Sequence, residues 1–105
     1  MLGVRHSNRV LWRRRHASRH YVGYVVVSDD SIRLAGDESD TGIHAVLSIP
    51  NTAIGETRIS RDALEEVVGE PAVVLELADD DPILLRPLGD GMLALDDLAR
   101  RLVTR

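Results

Sequence analysis

The sequence predicts an α+β domain that is mainly β, a strongly bent antiparallel sheet or small barrel of about six to seven strands closed by a C-terminal helix. Short segments rich in β-branched and aliphatic residues recur between turn-forming residues along the chain. Most connections between these segments are only a few residues long, too short for the helical crossovers that parallel strands require. The last part of the chain has the apolar periodicity of an amphipathic helix.

The first predicted unit is a β-hairpin. Residues 21–28, YVGYVVVS, are β-branched or aromatic almost throughout and predict a strand. Asp29 and Asp30 form the turn, and residues 31–35 return with Ile32 and Leu34 facing inward. The glycine- and aspartate-rich residues 36–42 then predict a loop.

The middle of the chain predicts two more strands and a short helical turn. Residues 44–49 alternate, with one face formed by three apolar side chains, Ala45, Leu47 and Ile49. The strand over residues 52–59 contains Gly55, which predicts a β-bulge or a close approach of backbone. Asp62 and Glu65 have the spacing of a capping box, so we expect one short helix or helical turn around residues 61–68.

The C-terminal unit is two strands, an acidic turn and a helix. Val73, Leu75 and Leu77 alternate along the first strand, residues 79–81 are three consecutive aspartates, and Pro82 opens the second strand. The helix presents an apolar stripe at Leu95, Leu98, Ala99 and Leu102. Two acid-to-base pairs at i,i+4 spacing lie on its other face, Asp96 with Arg100 and Asp97 with Arg101.

Charge divides the chain into a basic arm and an acidic body. Residues 1–20 contain six of the 13 basic residues and no acid. Residues 21–105 contain seven arginines and all 17 acidic residues, which gives that part a formal charge of −10. We therefore predict a basic, disordered N-terminal arm over residues 1–20 and a single domain over residues 21–105, because the arm's composition does not suit a packed core.

Two further interpretations of the arm stay open. It is a candidate for binding an anionic ligand, either nucleic acid or a lipid surface, through its arginines. Alternatively, it folds back on its own acidic body. The candidate anion-binding residues are Arg5, Arg9, Arg13, Arg14, Arg15 and Arg19.

The residue content disfavours most site chemistries. The chain has no cysteine, so it has no disulfide, thiolate metal site or cysteine nucleophile, and this composition suits a cytoplasmic location. It has only three aromatic residues and no glycine-rich phosphate-binding motif. His16 and His20 have no nearby carboxylate in the sequence to complete a metal site, and the aspartates 79–81 lack the spacing of a calcium loop. We expect no cofactor, no metal and no catalytic residue.

The order of elements over residues 21–103 resembles bacterial pleckstrin-homology-like and GRAM-like domains. The similar features are the opening hairpin GYVVVSDDSIRLAG, the proline-interrupted LSIPNTAIGETRI, the pair VVLEL and ILLRPL, and the closing helix LDDLARRL. The resemblance implies a bent antiparallel sheet capped by the helix and a binding or scaffold role. It implies no site residue, because the first hairpin carries Asp29 and Asp30 where lipid-binding members carry basic residues.

We therefore expect a non-enzymatic binding or interaction module, with a protein partner or self-association. The alternatives are anion binding through the arm and a degenerate receptor for cyclic di-GMP. The second alternative is based on Arg15 and Arg19, which match the R-x-x-x-R half of the PilZ motif. Its other half starts at residues 29–31 but has Leu34 where the glycine belongs.

Overall fold

The computed structural model describes residues 4–89 and 91–103, without the side chains of residues 4, 5, 91 and 92. These described residues form seven strands, two 3₁₀ turns and one helix. The strands are β1 (Val4–Arg14), β2 (Tyr21–Ser28), β3 (Ser31–Glu38), β4 (His44–Pro50), β5 (Ile54–Ile59), β6 (Val73–Leu77) and β7 (Ile83–Pro87). The 3₁₀ turns are Asn51–Ala53 and Ala63–Glu65, and the helix is α1 (Gly91–Val103).

All seven strands form one antiparallel sheet in the order β4-β3-β2-β1-β7-β6-β5. The sheet is a half-barrel whose concave face holds the main core. The helix α1 packs against that core and contacts β5, β6 and β7. The predicted class, a mainly β domain with a curled antiparallel sheet closed by a C-terminal helix, is confirmed.

The prediction of a disordered arm is wrong for the part of residues 1–20 that the structure describes. Residues 4–14 form β1, which lies in the middle of the sheet between β2 and β7. Val10 and Trp12 face the core, while Leu11 packs into a smaller cluster on the other face. Three consecutive apolar residues thus mark a strand that is covered on both faces, which hides the alternation expected of a half-exposed strand.

The loop predicted over residues 36–42 is wrong at its start, because β3 continues to Glu38. The local predictions that follow are confirmed. The β2–β3 hairpin turns at Asp29 and Asp30, and the β5–β6 pairing has a bulge between Ile54 and Thr57, at the predicted position of Gly55. The predicted helical turn is the 3₁₀ turn Ala63–Glu65, where the Asp62 carboxylate accepts a hydrogen bond from the Leu64 amide at 3.0 Å.

The helix packs as its apolar stripe predicts. Leu95, Leu98 and Leu102 are buried in the core, and Ala99 packs against it. Of the two predicted i,i+4 pairs, the structure shows the ion pair between Arg101 Nε and Asp97 Oδ2, at 3.1 Å. A hydrogen bond of 3.1 Å from Arg101 to Asn8 on β1 also links the helix to the middle of the sheet.

The central position of β1 makes its buried side chains essential for folding. We expect Val10→Asp, at a position that is 0% exposed, to lower the free energy of unfolding by about 4 kcal/mol or more, because a carboxylate loses its hydration in the core. The neighbouring change Arg9→Asp, at an exposed position, is the control and should cost less than about 1 kcal/mol. Urea unfolding of both variants measures the difference, and equal stabilities would contradict a central β1.

Candidate functional site

The half-barrel has two edge strands, β4 and β5, and they differ in how open they are to a further strand. The β5 edge is interrupted by its bulge and carries the charged residues Glu56 and Arg58. Bulges and charges are the usual devices that stop edge strands from pairing with other chains. The β4 edge is regular over seven residues, HAVLSIP, with His44 as its one titratable side chain. The β4 edge is therefore the more open of the two.

The hydrogen-bond pattern shows which backbone groups of β4 face outward. The Glu38 amide donates to the Ile43 carbonyl at 2.9 Å, and the Asn51 amide donates to the Asp30 carbonyl at 2.9 Å. Because such bonds alternate along an antiparallel pair, the odd-numbered residues 43–51 bond to β3. The N–H and C=O groups of His44, Val46 and Ser48 consequently point to the open edge.

A groove runs along the concave side of β4 and is here called the seam groove. It consists of two adjoining clefts of about 220 and 250 Å³ that share Arg14 and Leu47 as lining residues. Apolar side chains dominate the first cleft, with Trp12, Tyr21 and Ala45 among them. The second cleft ends at Pro50 and the acidic turn between β6 and β7, which includes Asp79 and Asp80.

Two aromatic rings form one wall of the seam groove. Trp12 and Tyr21 stack with their ring centroids 4.4 Å apart, and the indole N–H of Trp12 donates a hydrogen bond of 3.1 Å to the Ala35 carbonyl. Gly36 permits this close approach, since a Cβ atom there would lie 3.0 Å from the indole nitrogen. Stacking and a buried hydrogen bond therefore fix the orientation of the indole in this wall.

Arginine and aspartate pair at the junction of the two clefts. Arg14 Nη1 lies 2.9 Å from Asp80 Oδ2. The pKa of Asp80 is held below its ordinary value, mainly because the Asp81 amide donates a hydrogen bond to its carboxylate. The contact with Arg14 lowers the pKa further. Asp79 and Asp30 are exposed nearby and form no ion pair within the described part of the chain. The Pro50 end of the seam groove thus has an excess of negative charge.

The predicted anion-binding residues are not brought together into one site. The side chain of Arg5 lies outside the described residues, and Arg9 is exposed on the convex face of β1. Arg14 pairs with Asp80, Arg15 lies 3.9 Å from Glu65, and Arg19 pairs with Glu38 at 2.8 Å. The interpretation that describes these contacts best is the one in which the basic segment folds back on the acidic body.

Arg13 has a structural role that the sequence did not reveal. Its guanidinium donates hydrogen bonds to the carbonyl oxygens of Leu64 and Glu66, at 3.0 and 2.6 Å, and to those of Arg14, Arg15 and Ala17, at 3.1, 2.7 and 3.2 Å. It therefore joins the end of β1 to residues 60–72, here called the strap. The strap covers the convex face of β6 and β7 with Val67 and Ala72.

The strap is also fixed by a buried ion pair. Arg58 donates hydrogen bonds of 2.7 and 2.5 Å to the two carboxylate oxygens of Glu65, and a third of 2.9 Å to Glu76. Glu65 is only 2% exposed. The hydrogen bonds from Arg58 lower the pKa of Glu65 from 4.5 to about 2. Burial alone would raise this pKa, and a hydrogen bond from the Arg61 amide helps to lower it.

This pKa makes Glu65 unsuited to general acid or base catalysis near neutral pH, where the carboxylate stays ionised and poorly basic. Two of the four histidines are engaged in surface pairs: His16 Nδ1 lies 2.6 Å from Asp81, and His44 Nδ1 lies 2.8 Å from Asp37. Within the described residues, no group of three or more histidine, aspartate or glutamate side chains is placed to hold a metal ion. No helix in that part of the chain is long and apolar enough to cross a bilayer.

The two halves of the cyclic di-GMP motif lie far apart. Arg15 and Arg19 precede β2, whereas residues 29–31 follow it, so the halves stand at opposite ends of an eight-residue strand. At about 3.3 Å per residue this strand separates them by roughly 20 Å or more. The geometry does not assemble that site.

Comparison with known proteins supports the fold alone. No family model matches the sequence, and no curated protein matches it. The structure is similar to the crystal structure of the C-terminal domain of an unknown protein from Leishmania infantum, with a TM-score of 0.66 over 98% of this chain and 83% of that chain. The two sequences are 16% identical, so the likeness extends to architecture and not to function.

The low pKa of Glu65 predicts a loss of stability in acid. The ionised carboxylate is favoured by the folded state, so its contribution is fully present above pH 4.5 and disappears as the pH falls towards 2. The shift corresponds to about 3 kcal/mol. Thermal unfolding of the wild type and of Glu65→Gln between pH 6 and pH 2 tests this expectation.

The variant should already be less stable at pH 6 and should lose less stability than the wild type on acidification. Exposed Glu70→Gln is the matched control, and its pH dependence should follow that of the wild type. Parallel curves for the wild type and Glu65→Gln would contradict the assignment.

Proposed function

We propose that this protein is a non-enzymatic interaction module that binds an extended segment of a partner protein by adding it as an eighth strand beside β4. The observation that carries the proposal is the regular, almost uncharged edge of β4, with the backbone groups of His44, Val46 and Ser48 directed outward. Strand addition to such an edge is a common mode of peptide recognition, in which main-chain hydrogen bonds provide affinity and side-chain pockets provide specificity.

The shape of the seam groove supports an extended peptide ligand. Its two clefts, of about 220 and 250 Å³, follow one another along β4 and do not form one deep cavity. The clefts lie along the concave side of β4, next to Ala45, Leu47 and Ile49. An added strand would direct every second side chain towards these clefts.

The expected affinity is moderate. Each backbone hydrogen bond contributes a net of about 1 kcal/mol, and three outward-facing residues can make about six such bonds. The segment must give up conformational freedom on binding, which offsets much of that gain. We therefore expect dissociation constants around the micromolar range.

The alternative functions have less geometric support. An anionic ligand would have to displace the partners of Arg13, Arg14 and Arg19, each of which already contacts carbonyl or carboxylate oxygens of the same chain. The cyclic di-GMP hypothesis requires motif halves that stand at opposite ends of β2.

Membership of the pleckstrin-homology-like class is part of the same proposal. The chain folds as a four-strand meander, β1–β4, followed by a three-strand meander, β5–β7, and a closing helix. This element order supports the resemblance, although the sheet begins one strand earlier than residue 21. A scaffold or binding role is what that class implies.

The proposal predicts an alternating pattern of amide protection in β4. In the free protein, the amides of Ala45, Leu47 and Ile49 should exchange slowly with solvent, and those of His44, Val46 and Ser48 should exchange rapidly, because only the former bond to β3. Hydrogen exchange followed by NMR measures this pattern. Slow exchange at all six positions in a monomer would mean that the edge is not free, which would contradict the proposal.

A further inference from the structure

We infer that the segment bound beside β4 is basic at its ends and uncharged and largely apolar in its middle. This inference rests on the proposed strand addition and specifies the partner. It follows from the distribution of charge along β4, where the two ends are acidic and the centre is neutral.

The Pro50 end of β4 is surrounded by aspartates. The β2–β3 turn lies beside it, since the Asn51 amide donates to the Asp30 carbonyl at 2.9 Å and Ser31 pairs with Pro50. Asp79 and Asp80 approach from the β6–β7 turn and line the seam groove there. Arg14 neutralises Asp80 only, at 2.9 Å. A cationic side chain on the partner would therefore be attracted to this end.

The His44 end is also acidic, although less strongly. Asp37, Glu38 and Asp40 lie at the end of β3 and in the loop that follows. Arg19 is shared between Glu38, at 2.8 Å, and Asp40, at 3.7 Å. Asp37 lies 2.8 Å from His44 Nδ1 and not beside Arg19. With histidine neutral, three carboxylates and one arginine leave a formal charge of −2 at this end, so a basic residue is favoured here as well.

The centre of β4 selects uncharged side chains. Val46 is 59% exposed on the convex face, beside Ala35 and in the same cross-strand row as Tyr24. On the concave face, Ala45 and Leu47 border the seam groove. A charged side chain beside Val46 would lose hydration against these apolar surfaces, and the exposed Arg33, which pairs with Ser48, would repel a further cation there.

A second copy of the same chain fits this edge less well. In a two-fold antiparallel pairing centred on Val46, the His44 end of one copy would meet the Pro50 end of the other. The acidic ends would then face each other, in a chain whose formal net charge is −4. Charge complementarity therefore favours a basic segment of a different protein over self-pairing.

Two labelled peptides test the inference. Each has about nine residues, a usual strand length, with threonine and valine alternating in the middle. One carries two arginines at each end and the other carries two glutamates. Fluorescence anisotropy with the full chain should show at least about tenfold tighter binding of the arginine peptide, and its affinity should fall as salt screens the charges.

Variants of the chain locate the binding. Val46→Pro removes an outward N–H, and an edge strand tolerates proline, so this variant should fold but not bind the peptide. Val46→Thr is the control, because it keeps the N–H donor and should bind. Ser48→Pro removes a second outward donor and serves if Val46→Pro does not fold. The double variant Asp30→Asn with Asp79→Asn should bind the arginine peptide about tenfold more weakly. The control pair Glu70→Gln with Asp96→Asn removes the same charge elsewhere and should leave the affinity unchanged.

The other outcomes overturn the inference in distinguishable ways. Equal binding of both peptides, lost in Val46→Pro, would overturn the basic character of the partner and leave strand addition intact. No binding of either peptide, or binding unaffected by Val46→Pro and Ser48→Pro, would overturn the proposed function as well. A dimer in light scattering that Val46→Pro dissociates would show that the edge is occupied by a second copy.

Discussion

The whole structure depends on β1 pairing on both of its edges. Residues 6–12 pair with β2, and residues 10–14 pair with β7, so one strand joins a meander of three strands to another meander of three. In its absence, β2–β4 and β5–β7 would be separate sheets, each with an additional open edge. Val10 and Trp12 are buried on the concave face and Leu11 is partly buried against the strap, and this packing holds β1 in that position.

The central position of β1 also determines what the basic N-terminal residues do. It carries Arg13 and Arg14 to the end of the sheet where the strap and the β6–β7 turn supply carbonyl and carboxylate oxygens. The arginines are thereby used to hold the chain together and not to form an open cationic surface. The same strand order leaves β4 and β5 as the two edges, and only β4 is regular and nearly free of charge.

The parts of the fold that local sequence encodes could be predicted. The β2–β3 hairpin, the bulge near Gly55, the turn at residues 63–65 and the C-terminal helix depend on patterns within about ten residues. The role of β1 could not be predicted in this way, because the partners of its arginines are distant in sequence: Arg13 bonds to Glu66, and Arg14 pairs with Asp80. The candidate site was missed for the same reason, since the openness of β4 follows from strand order.

Proton–proton contacts in solution test the position of β1 most directly. A β1 strand between β2 and β7 predicts short Hα–Hα contacts from Leu11 to Val22 and from Trp12 to Leu85, because these are the non-hydrogen-bonded pairs on its two sides. Observation of both contacts in one monomeric species would establish β1 between β2 and β7. Contacts between β2 and β7 directly, with residues 4–14 showing neither contact, would contradict the account.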